Sequence, residues 1–335
     1  MIKHLRSIAA AALMAVSMLS AKADDFSFDY SYYGNLEVEM FGKPFGTSKN
    51  EIKVAPCGQD SIMLILDNFT LSMGTSNMYV GTIKIDSIKV ENSADGFSFS
   101  KEDVVKIEPG YYPVGEDVAW TGAQLPAMPV SVEGTLVDGK LVLAIDIKSM
   151  NVNVKFTSDP STSFSGPLSV EINDIPMGAS EQVIKIVDRG DGMNAIMLSN
   201  FSLGVMHHVG NILVDSIPAG ETISHEAGIV ISKGSYPADA KWQGYELGVV
   251  PVSVNGTVAS GNLDLVIDIN MPDLGVIKVS FDGVSTSISE IPADTETGVK
   301  AVYTVSGVKV GDSTDNLPSG IYIVKENGKS YKILK

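Results

Sequence analysis

Cysteine, aromatic residues and basic side chains are all scarce in this chain of 335 residues. Its single cysteine, Cys57, excludes an intramolecular disulfide framework. Only 24 basic side chains stand against 40 acidic ones. The resulting net charge of −16 argues against nucleic acid or an anionic membrane surface as a partner, because both need a basic face. No uninterrupted apolar run reaches the roughly 20 residues that a helical bilayer span needs.

Residue patterns that carry chemistry are also missing. No nucleophile has an evident base, no carboxylate pair has a recognisable setting, and no G-x-x-x-x-G-K phosphate loop occurs. A nucleophilic Cys57 would need a base, but the histidines beyond the N-terminus are His207, His208 and His225, in the other half of the chain. Adjacent residues of a strand point to opposite faces, so His207 and His208 cannot easily share a metal ion. The sequence predicts a protein without enzymatic activity, metal or cofactor.

The N-terminal segment has the pattern of a secretory signal peptide. Lys3 and Arg6 precede an apolar stretch over residues 7–19, which is too short to span a bilayer. Small residues then lead to a cleavage site between Ala23 and Asp24. Removal of this segment leaves 21 basic against 40 acidic side chains, a net charge of −19. Because no cysteine follows the cleavage site directly, a lipid anchor there is excluded.

The remaining chain contains a duplicated domain. With 44% hydrophobic and 19% charged residues, a chain of this length predicts two folded domains, or two and a tail. Asn68 matches Asn200 at an offset of 132 residues, and Trp120 matches Trp242 at an offset of 122. The offset changes only between matched blocks, as loop deletions would make it. Further matched blocks are 34–38 with 166–170, 81–88 with 210–217, 110–113 with 234–237, 129–135 with 251–257 and 141–147 with 263–269.

Each copy consists of short segments rich in Val, Ile and Leu, which is the pattern of β-strands. Alternating segments predict strands with one wet face, whereas the apolar runs 62–66 and 141–144 predict strands covered on both faces. The hairpin turns 137–140 and 259–262 each offer a glycine for a positive φ. No convincing amphipathic helix is present. Roughly eight antiparallel strands per copy fit a closed up-and-down barrel or a two-sheet sandwich.

Changes in composition divide the chain into segments. The tail carries a net charge of +3 in an otherwise acidic protein. It contains a hairpin whose strands 320–326 and 329–334 flank Asn327-Gly328, the signal of a type I′ turn. The predicted organisation is signal peptide 1–23, first copy 24–157, linker 158–163, second copy 164–283, linker 284–298 and tail 299–335.

Both copies follow the same order of strand motifs. In the first copy these are Tyr33-Gly34-x-Leu36-x-Val38, Asn68-Phe69, Gly81-x-Ile83, Val132-x-Gly134-Thr135 and Gly139-Lys140-Leu141-x-Leu143-x-Ile145. This order resembles the calycin-like β-barrel domain of exported Bacteroidetes proteins, over residues 28–157 and again over 164–283. The resemblance implies an all-β protein of two tandem antiparallel, lipocalin-like barrels that can hold an apolar ligand. The lipocalin Gly-x-Trp signature is absent, because Leu36 and Leu168 take the place of tryptophan.

The tail carries a second resemblance. Val302-Tyr303-Thr304-Val305-Ser306-Gly307, followed by residues 317–324 and terminal lysines, is similar to the C-terminal sorting domains of type IX secretion cargo. The resemblance implies that the tail directs passage across the outer membrane and that the protein is attached to the cell surface. The expected location is the outer-membrane surface or the outside of the cell, with the periplasm as the alternative.

The two tryptophans are the candidate ligand-binding residues. Trp120 and Trp242 occupy matched positions, and matched tyrosines, Tyr112 and Tyr236, precede them. In a barrel these four residues can line the mouth and contact a ligand. They can equally plug the barrel end as buried apolar bulk, and the plug is the interpretation we favour, because large aromatic side chains dominate core burial.

These features favour an exported, non-enzymatic binding protein that holds small apolar or amphipathic, lipid-like ligands in its barrels. The alternative is a cell-surface interaction or structural protein whose barrels are solid and whose outer faces bind a protein or a glycan. A transmembrane barrel is a more distant interpretation, because the continuous aromatic girdles of such barrels are missing. The sequence does not identify the ligand, the partner or the oligomeric state.

Overall fold

The structure is a computed structural model, and it describes residues 29–58, 60–73, 76–93, 96–111, 119–203, 207–271, 275–286, 301–304, 309–311, 313, 321–326 and 329–334. The predicted signal peptide and its predicted cleavage site at Ala23 and Asp24 lie outside these ranges. Within them the chain is almost entirely β-strand, with short 3₁₀ turns at Gly122–Gln124, Lys148–Met150 and Gly244–Leu247. No helix in these ranges has the length and apolar character to cross a membrane.

The first copy of the repeat forms a closed barrel of eight antiparallel strands in sequence order. The strands are β1 Ser31–Met40, β2 Lys43–Pro56, β3 Ser61–Met73, β4 Ser76–Ser93, β5 Gly96–Val105, β6 Met128–Val137, β7 Lys140–Ile147 and β8 Val152–Ser158. The ring closes where β1 pairs with β8 and Gly34 lies opposite Ser158. A Cβ at Gly34 would collide with the carbonyl oxygen of Thr157, so this closure requires glycine.

The second copy forms a barrel that is nearly closed. Its strands are β9 Ser161–Ile172, β10 Ile175–Asp188, β11 Met193–Leu203, β12 His207–Pro218, β13 Thr222–Val230, β14 Val249–Ala259, β15 Asn262–Met271 and β16 Gly275–Ser285. In the order β12-β11-β10-β9-β16-β15-β14-β13, the strands β12 and β13 are the edges. One backbone bridge, between Asn211 and Ser232, spans the seam between the edges. The predicted fold class is confirmed, and barrels rather than sandwiches are formed.

Apolar side chains fill the inside of both barrels. The first core includes Leu36, Val54 and Phe156, and the second includes Val254 and Leu265. Every residue of the two core clusters is between 0 and 9% exposed. Strand alternation sends these residues inward and their neighbours outward. Since burial contributes about 25 cal/mol per Å² of apolar surface, the two cores are the main source of stability.

The apolar runs in the sequence differ in their surroundings. In the run 62–66, every residue except the half-buried Ile65 is buried, so the prediction holds in part. Met63 is buried although it lies outside the barrel core. The prediction is wrong for the run 141–144. Val142 in this run is 40% exposed, because the outward face of β7 lies at the surface there.

The predicted hairpin turns have the expected backbone conformation. Asp138 and Gly139 have φ angles of 50° and 73°, and Ser260 and Gly261 have φ angles of 52° and 79°. Two successive positive φ angles are the property of a type I′ turn, whose twist matches that of the flanking strands.

The connection between the barrels is short. Only residues 159 and 160 lie between β8 and β9, so most of the segment 158–163, expected to be a linker, belongs to strands. The hydrogen bonding of the first barrel continues beyond β8, because the backbone N–H of Asp159 donates to the carbonyl of Tyr33 at 2.9 Å. The second linker, 284–298, begins within β16 and lies outside the described residues from residue 287 onward.

The tail forms a separate four-stranded sheet. Its strands are β17 Ala301–Thr304, β18 Lys309–Gly311, β19 Ile321–Glu326 and β20 Lys329–Leu334, in the order β18-β17-β19-β20. Val302, Tyr322 and Val324 form its buried centre. The predicted hairpin is confirmed by the pairing of β19 with β20. Its turn, residues 327–328, lies outside the described residues.

Candidate functional site

Two loops at equivalent positions of the repeat each form a backbone bridge to a strand of their own barrel. In the first barrel, Glu108 exchanges two backbone hydrogen bonds with Thr82 of β4, at 2.8 and 2.9 Å. At the matched place in the second barrel, Ser232 exchanges two with Asn211 of β12, at 2.8 and 3.0 Å. Each loop therefore adds a short bridge to its barrel, in the first beyond the direct pairing of β4 with β5 and in the second between the regions of the edge strands β12 and β13.

An asparagine holds the continuation of each loop. Asn68 and Asn200 have φ angles of 51° and 53°, a conformation that asparagine tolerates better than most residues. The Oδ1 atom of Asn68 accepts the backbone N–H of Tyr111 at 2.8 Å. The Oδ1 atom of Asn200 accepts the N–H groups of Ser235 and Tyr236 at 2.8 and 3.2 Å. The matched asparagines in the repeat are thus loop anchors.

In the first copy, the loop seats Trp120 against Gly110. A Cβ at Gly110 would collide with the indole ring, so glycine makes room for the tryptophan. Tyr79 of β4 meets this ring edge to face, with centroids 5.8 Å apart. Trp120 is partly exposed and does not belong to the apolar core of its barrel. Tyr112, the tyrosine predicted to accompany it, lies outside the described residues.

In the second copy, Trp242 occupies the matched seat on Gly234. His208 replaces the tyrosine and meets the indole ring at 5.2 Å between centroids. Trp242 is only 9% exposed, and it too lies outside the apolar core of its barrel. Tyr236 is directed elsewhere and stacks on Tyr30 of the first barrel, with centroids 5.4 Å apart. Of the predicted residues that the structure describes, Trp120 and Trp242 each lie against a glycine of their own copy, and Tyr236 contacts the first barrel.

A cleft of about 370 Å³ opens beside Trp120 where the two barrels meet. The first barrel contributes most of its lining and the second barrel contributes the rest. The lining residues are Asn68, Thr70, Asn77, Tyr79, Trp120, Val230 and Ser232. None of these side chains carries a charge. The volume lies within the range of about 300–1,000 Å³ that is usual for small-molecule sites.

A buried ion pair lies at the junction of the barrels. Lys53 is 1% exposed, and its Nζ atom lies 2.5 Å from Oδ2 of Asp67. The same ammonium group donates to the backbone carbonyl of Lys233 in the second barrel. The Tyr111 hydroxyl donates to Asp67 at 2.7 Å and accepts the backbone N–H of Lys233 at 3.0 Å. Groups from both barrels thus satisfy each other's hydrogen bonds, which buried polar groups require.

The pKa values of this pair keep both partners charged. Burial alone would lower the pKa of Lys53, but the carboxylates of Asp67 and Glu51 outweigh it and raise that pKa above its ordinary value. Burial alone would raise the pKa of Asp67, but Lys53 and the hydrogen bonds of Tyr111 outweigh it and lower that pKa. The junction therefore contains a stable ion pair at neutral pH.

The matched lysine of the second barrel, Lys185, is buried in the same way but is less well compensated. It is 5% exposed, and its ammonium group donates to the carbonyl of Ser31 in the first barrel. Its carboxylate partner is the half-exposed Asp29, at 3.2 Å. Burial lowers the pKa of Lys185, and Asp29 only partly offsets the effect. The repeat explains the difference, because Ser199 stands where the first copy has Asp67.

A second group of contacts links the first barrel to the seam of the second. The Asn211 side-chain amide donates to Oε1 of Glu51 at 2.7 Å and to the Ser31 hydroxyl at 2.8 Å. The Ser232 hydroxyl donates to the other carboxylate oxygen of Glu51 at 3.0 Å. The two residues that bridge the seam of the second barrel are therefore both held by the first barrel.

Tyr33 anchors a third contact, which is mainly apolar. It packs with Val187, Ala195 and Met197 on the outward face of the second barrel. Its hydroxyl donates to Oδ2 of Asp215 at 2.7 Å. Burial, followed by the hydrogen bond to Asp215, raises the pKa of Tyr33 above its ordinary value.

The chemical groups at these sites suit binding. Among the described residues, no cluster of three or more His, Cys, Asp or Glu side chains could hold a metal ion. His208 lies 3.0 Å from the Ser202 hydroxyl and beside Trp242. The side chain of His207 is outside the described part of the chain. The cleft instead offers neutral amides, hydroxyls and aromatic rings.

Sequence reasoning did not identify the buried junction. Lys53 and Lys185 stand in strands where charged residues normally mark the wet face. A signal was nevertheless present, because both copies have lysine at the same repeat position, at an offset of 132 residues. Their burial depends on contacts with the other barrel, which strand periodicity does not encode.

Two successive barrels, each with a seam loop that carries a tryptophan, define a tandem β-barrel protein. A family model described as the calycin-like beta-barrel domain matches residues 28–159 and 161–284. The chain belongs to this calycin-like β-barrel family, and it contains the family's domain twice.

Comparison with individual proteins adds little to the family assignment. No curated protein matches the chain significantly. One solved structure that is similar is a Bacteroides fragilis protein described provisionally as an outer membrane protein. It is 13% identical, and the match covers 76% of this chain and 96% of the other, with a TM-score of 0.26. A similarity at this level carries no argument about function.

Proposed function

We propose that the protein is an exported, non-enzymatic binding protein that acts through the outer surfaces of two solid barrels at the cell surface. The observation that carries the proposal is the filled interior of each barrel. Leu36, Val54 and Phe156 of the first core and Val254 and Leu265 of the second are at most 1% exposed. A barrel that holds a lipid needs an open internal cavity whose lining side chains keep accessible surface, as small-molecule pockets do.

The junction between the barrels supports a binding function that depends on their fixed arrangement. Lys53, Tyr33 and Glu51 each bond to the second barrel through a partly buried contact. Such contacts specify one relative position, because any other would leave buried polar groups unpaired. A binding surface composed of both barrels can therefore be preorganised, which reduces the entropic cost of binding.

The N-terminal sequence supports export. Lys3, Arg6 and the apolar stretch that follows form a signal-peptide pattern that ends at Ala23. The mass of the protein recovered from its native host tests this part. We expect a mature N-terminus at Asp24, and a retained residue 1 would contradict export by this route.

We propose that the tail, residues 299–335, acts as a sorting or attachment module. A separate sheet with its own small centre at Val302 and Val324 supports this role, because it can be removed without opening either barrel. Deletion of the tail is expected to move the protein from the cell surface to the periplasm. An unchanged distribution between surface and periplasm would contradict the role.

Native mass spectrometry distinguishes surface binding from an internal ligand. The chain from residue 24 to 335 is exposed to a lipid extract of its host membranes and then washed. We expect the mass of the protein without lipid, because the barrels are filled. A lipid retained at one or two copies per chain would overturn the proposal and favour the internal-ligand interpretation.

Protease treatment of intact host cells tests the cellular location. We expect added protease to remove the protein from intact cells, while a periplasmic control protein survives. Protection equal to that of the periplasmic control would contradict a surface function.

A further inference from the structure

From the cleft between the barrels, we propose that the protein binds a neutral carbohydrate ring against Trp120. The inference rests on the proposed surface-binding function and specifies the ligand class. The cleft places an indole ring and a phenol ring beside amide and hydroxyl side chains. A pyranose has the matching chemistry, with an apolar face of C–H bonds and a rim of hydroxyl groups.

The aromatic wall of the cleft is held in place. Gly110 lets the indole ring of Trp120 lie directly against the loop backbone, and Tyr79 braces it edge to face. Trp120 is partly exposed in this position. An immobilised aromatic face loses little conformational entropy when a sugar ring stacks on it.

The polar wall retains hydrogen-bonding capacity. The Ser232 hydroxyl donates to Glu51, and the Thr70 hydroxyl donates to the carbonyl of Asn68. Each hydroxyl oxygen keeps lone pairs that can accept a hydrogen bond from a ligand. Asn77 is exposed at the edge of the cleft and its amide provides both donors and an acceptor. Sugar hydroxyls, which donate and accept, satisfy such a mixed set.

Other ligand classes fit the cleft less well. A charged ligand would find no opposite charge among the lining side chains. A purely apolar chain would remove the Asn77 amide from water without offering it a partner, at about 1–3 kcal/mol for an unsatisfied group. A neutral polar ligand with one apolar face avoids both penalties.

The second repeat supplies an internal comparison. Trp242 has the same seat as Trp120, but it is 9% exposed and lies against His208. Val230 and Ser232 of the second barrel complete the lining of the cleft that contains Trp120. The duplication has thus produced one partly exposed tryptophan and one buried tryptophan from the same position.

The test measures binding of neutral tetrasaccharides of glucose and N-acetylglucosamine to the mature chain, by calorimetry and tryptophan fluorescence. We expect saturable binding of at least one. Trp120→Ala should weaken it about tenfold or more, as removal of a central aromatic contact does. Asn77→Ala, at an exposed position where folding is not at risk, should weaken it by a smaller factor.

Trp242→Phe is the matched control, because it alters the buried tryptophan of the other repeat and should leave the affinity unchanged. Thermal unfolding checks that each variant is folded. Failure of every neutral oligosaccharide to bind, or equal affinity of wild type and both cleft variants, would overturn the proposal. Saturable binding of a polyproline peptide alone, at the same tryptophan, would also overturn it in favour of a protein ligand.

These outcomes separate the two proposals. If no sugar binds but the barrels are free of lipid and the protein is at the cell surface, only the carbohydrate site is lost. If lipid occupies the barrels, the surface-binding function fails, whatever the sugar titration gives.

Discussion

Lys53 and Lys185 occupy the same position of the two repeats, and each directs its ammonium group to a backbone carbonyl of the other barrel. The two hydrogen bonds are equivalent in geometry, but the two ammonium groups differ in how well nearby carboxylates compensate their charge. Asp67 neutralises Lys53 from a largely buried position, whereas Ser199 at the matched place offers no charge to Lys185. One repeat position thus contains a compensated and an undercompensated buried cation.

Replacement of the two lysines by methionine should have unequal effects on stability. Lys53→Met leaves the Asp67 carboxylate buried and unpaired, so we expect a loss of about 3–5 kcal/mol. Lys185→Met leaves only the half-exposed Asp29, so its cost should stay within about 1 kcal/mol. Urea denaturation at neutral pH measures both. Equal losses for the two variants would contradict the assigned difference in compensation.

The folded protein should lose stability as the pH rises above 10. Burial raises the pKa of Tyr33 and of Tyr111 above the ordinary value of 10.0. Above that pH the unfolded chain releases phenolic protons that the folded protein keeps, so the free energy of unfolding falls with rising pH. Each such group can contribute up to about 1.4 kcal/mol per pH unit.

Denaturation curves between about pH 8 and 11 measure this slope. Tyr33→Phe removes one of the phenols and should reduce the slope, although its lost contact to Asp215 lowers stability at every pH. A slope in the Tyr33→Phe variant that equals the wild-type slope would show that this phenol does not account for the effect.

Replacement by alanine of the glycines that contact the tryptophans should disturb the packing of the two indole rings. A Cβ at Gly234 or Gly110 would overlap the ring of Trp242 or Trp120, and overpacking of this kind costs about 1–3 kcal/mol. We therefore expect Gly234→Ala and Gly110→Ala to lower stability and to change tryptophan emission. Gly220→Ala is the matched control, because a Cβ there meets no atom within 4 Å. Equal stability and equal tryptophan emission in all three variants would contradict the close packing of the indole rings on these two glycines.

The two barrels should unfold together. Their buried contacts at Tyr33, Lys53 and Glu51 would leave unsatisfied groups if one barrel opened alone. Scanning calorimetry of the mature chain should show one main transition whose calorimetric and van't Hoff enthalpies agree. Two well-separated transitions of similar size would demonstrate independent barrels.

The sequence predicts the fold well because the repeat and the strand periodicity are local properties. The offset between Trp120 and Trp242, together with the positive-φ turns at Gly139 and Gly261, already gives two copies of an eight-stranded unit. Residues that face the core of their own barrel follow strand alternation, so their burial can be predicted in the same way.

The junction and the cleft could not be predicted in the same way. The contact of Tyr33 with Asp215 joins residues 182 positions apart on different barrels. Nothing in either strand specifies which outward face meets which. The tryptophans were identified from the sequence, but the difference between the partly exposed Trp120 and the buried Trp242 arises from their surroundings, including Tyr79 and His208.

The Asn211–Ser232 bridge makes the folding of the second barrel depend on the first. The first barrel pairs β4 with β5 directly, whereas at the equivalent place in the second barrel the bridge is held by Glu51 of the first. The first copy leaves the ribosome earlier, so it can serve as a template on which the second closes. A descendant that lost its first half would retain a barrel with two loosely joined edges, and such edges invite aggregation. The order of the copies is therefore part of what natural selection can act on.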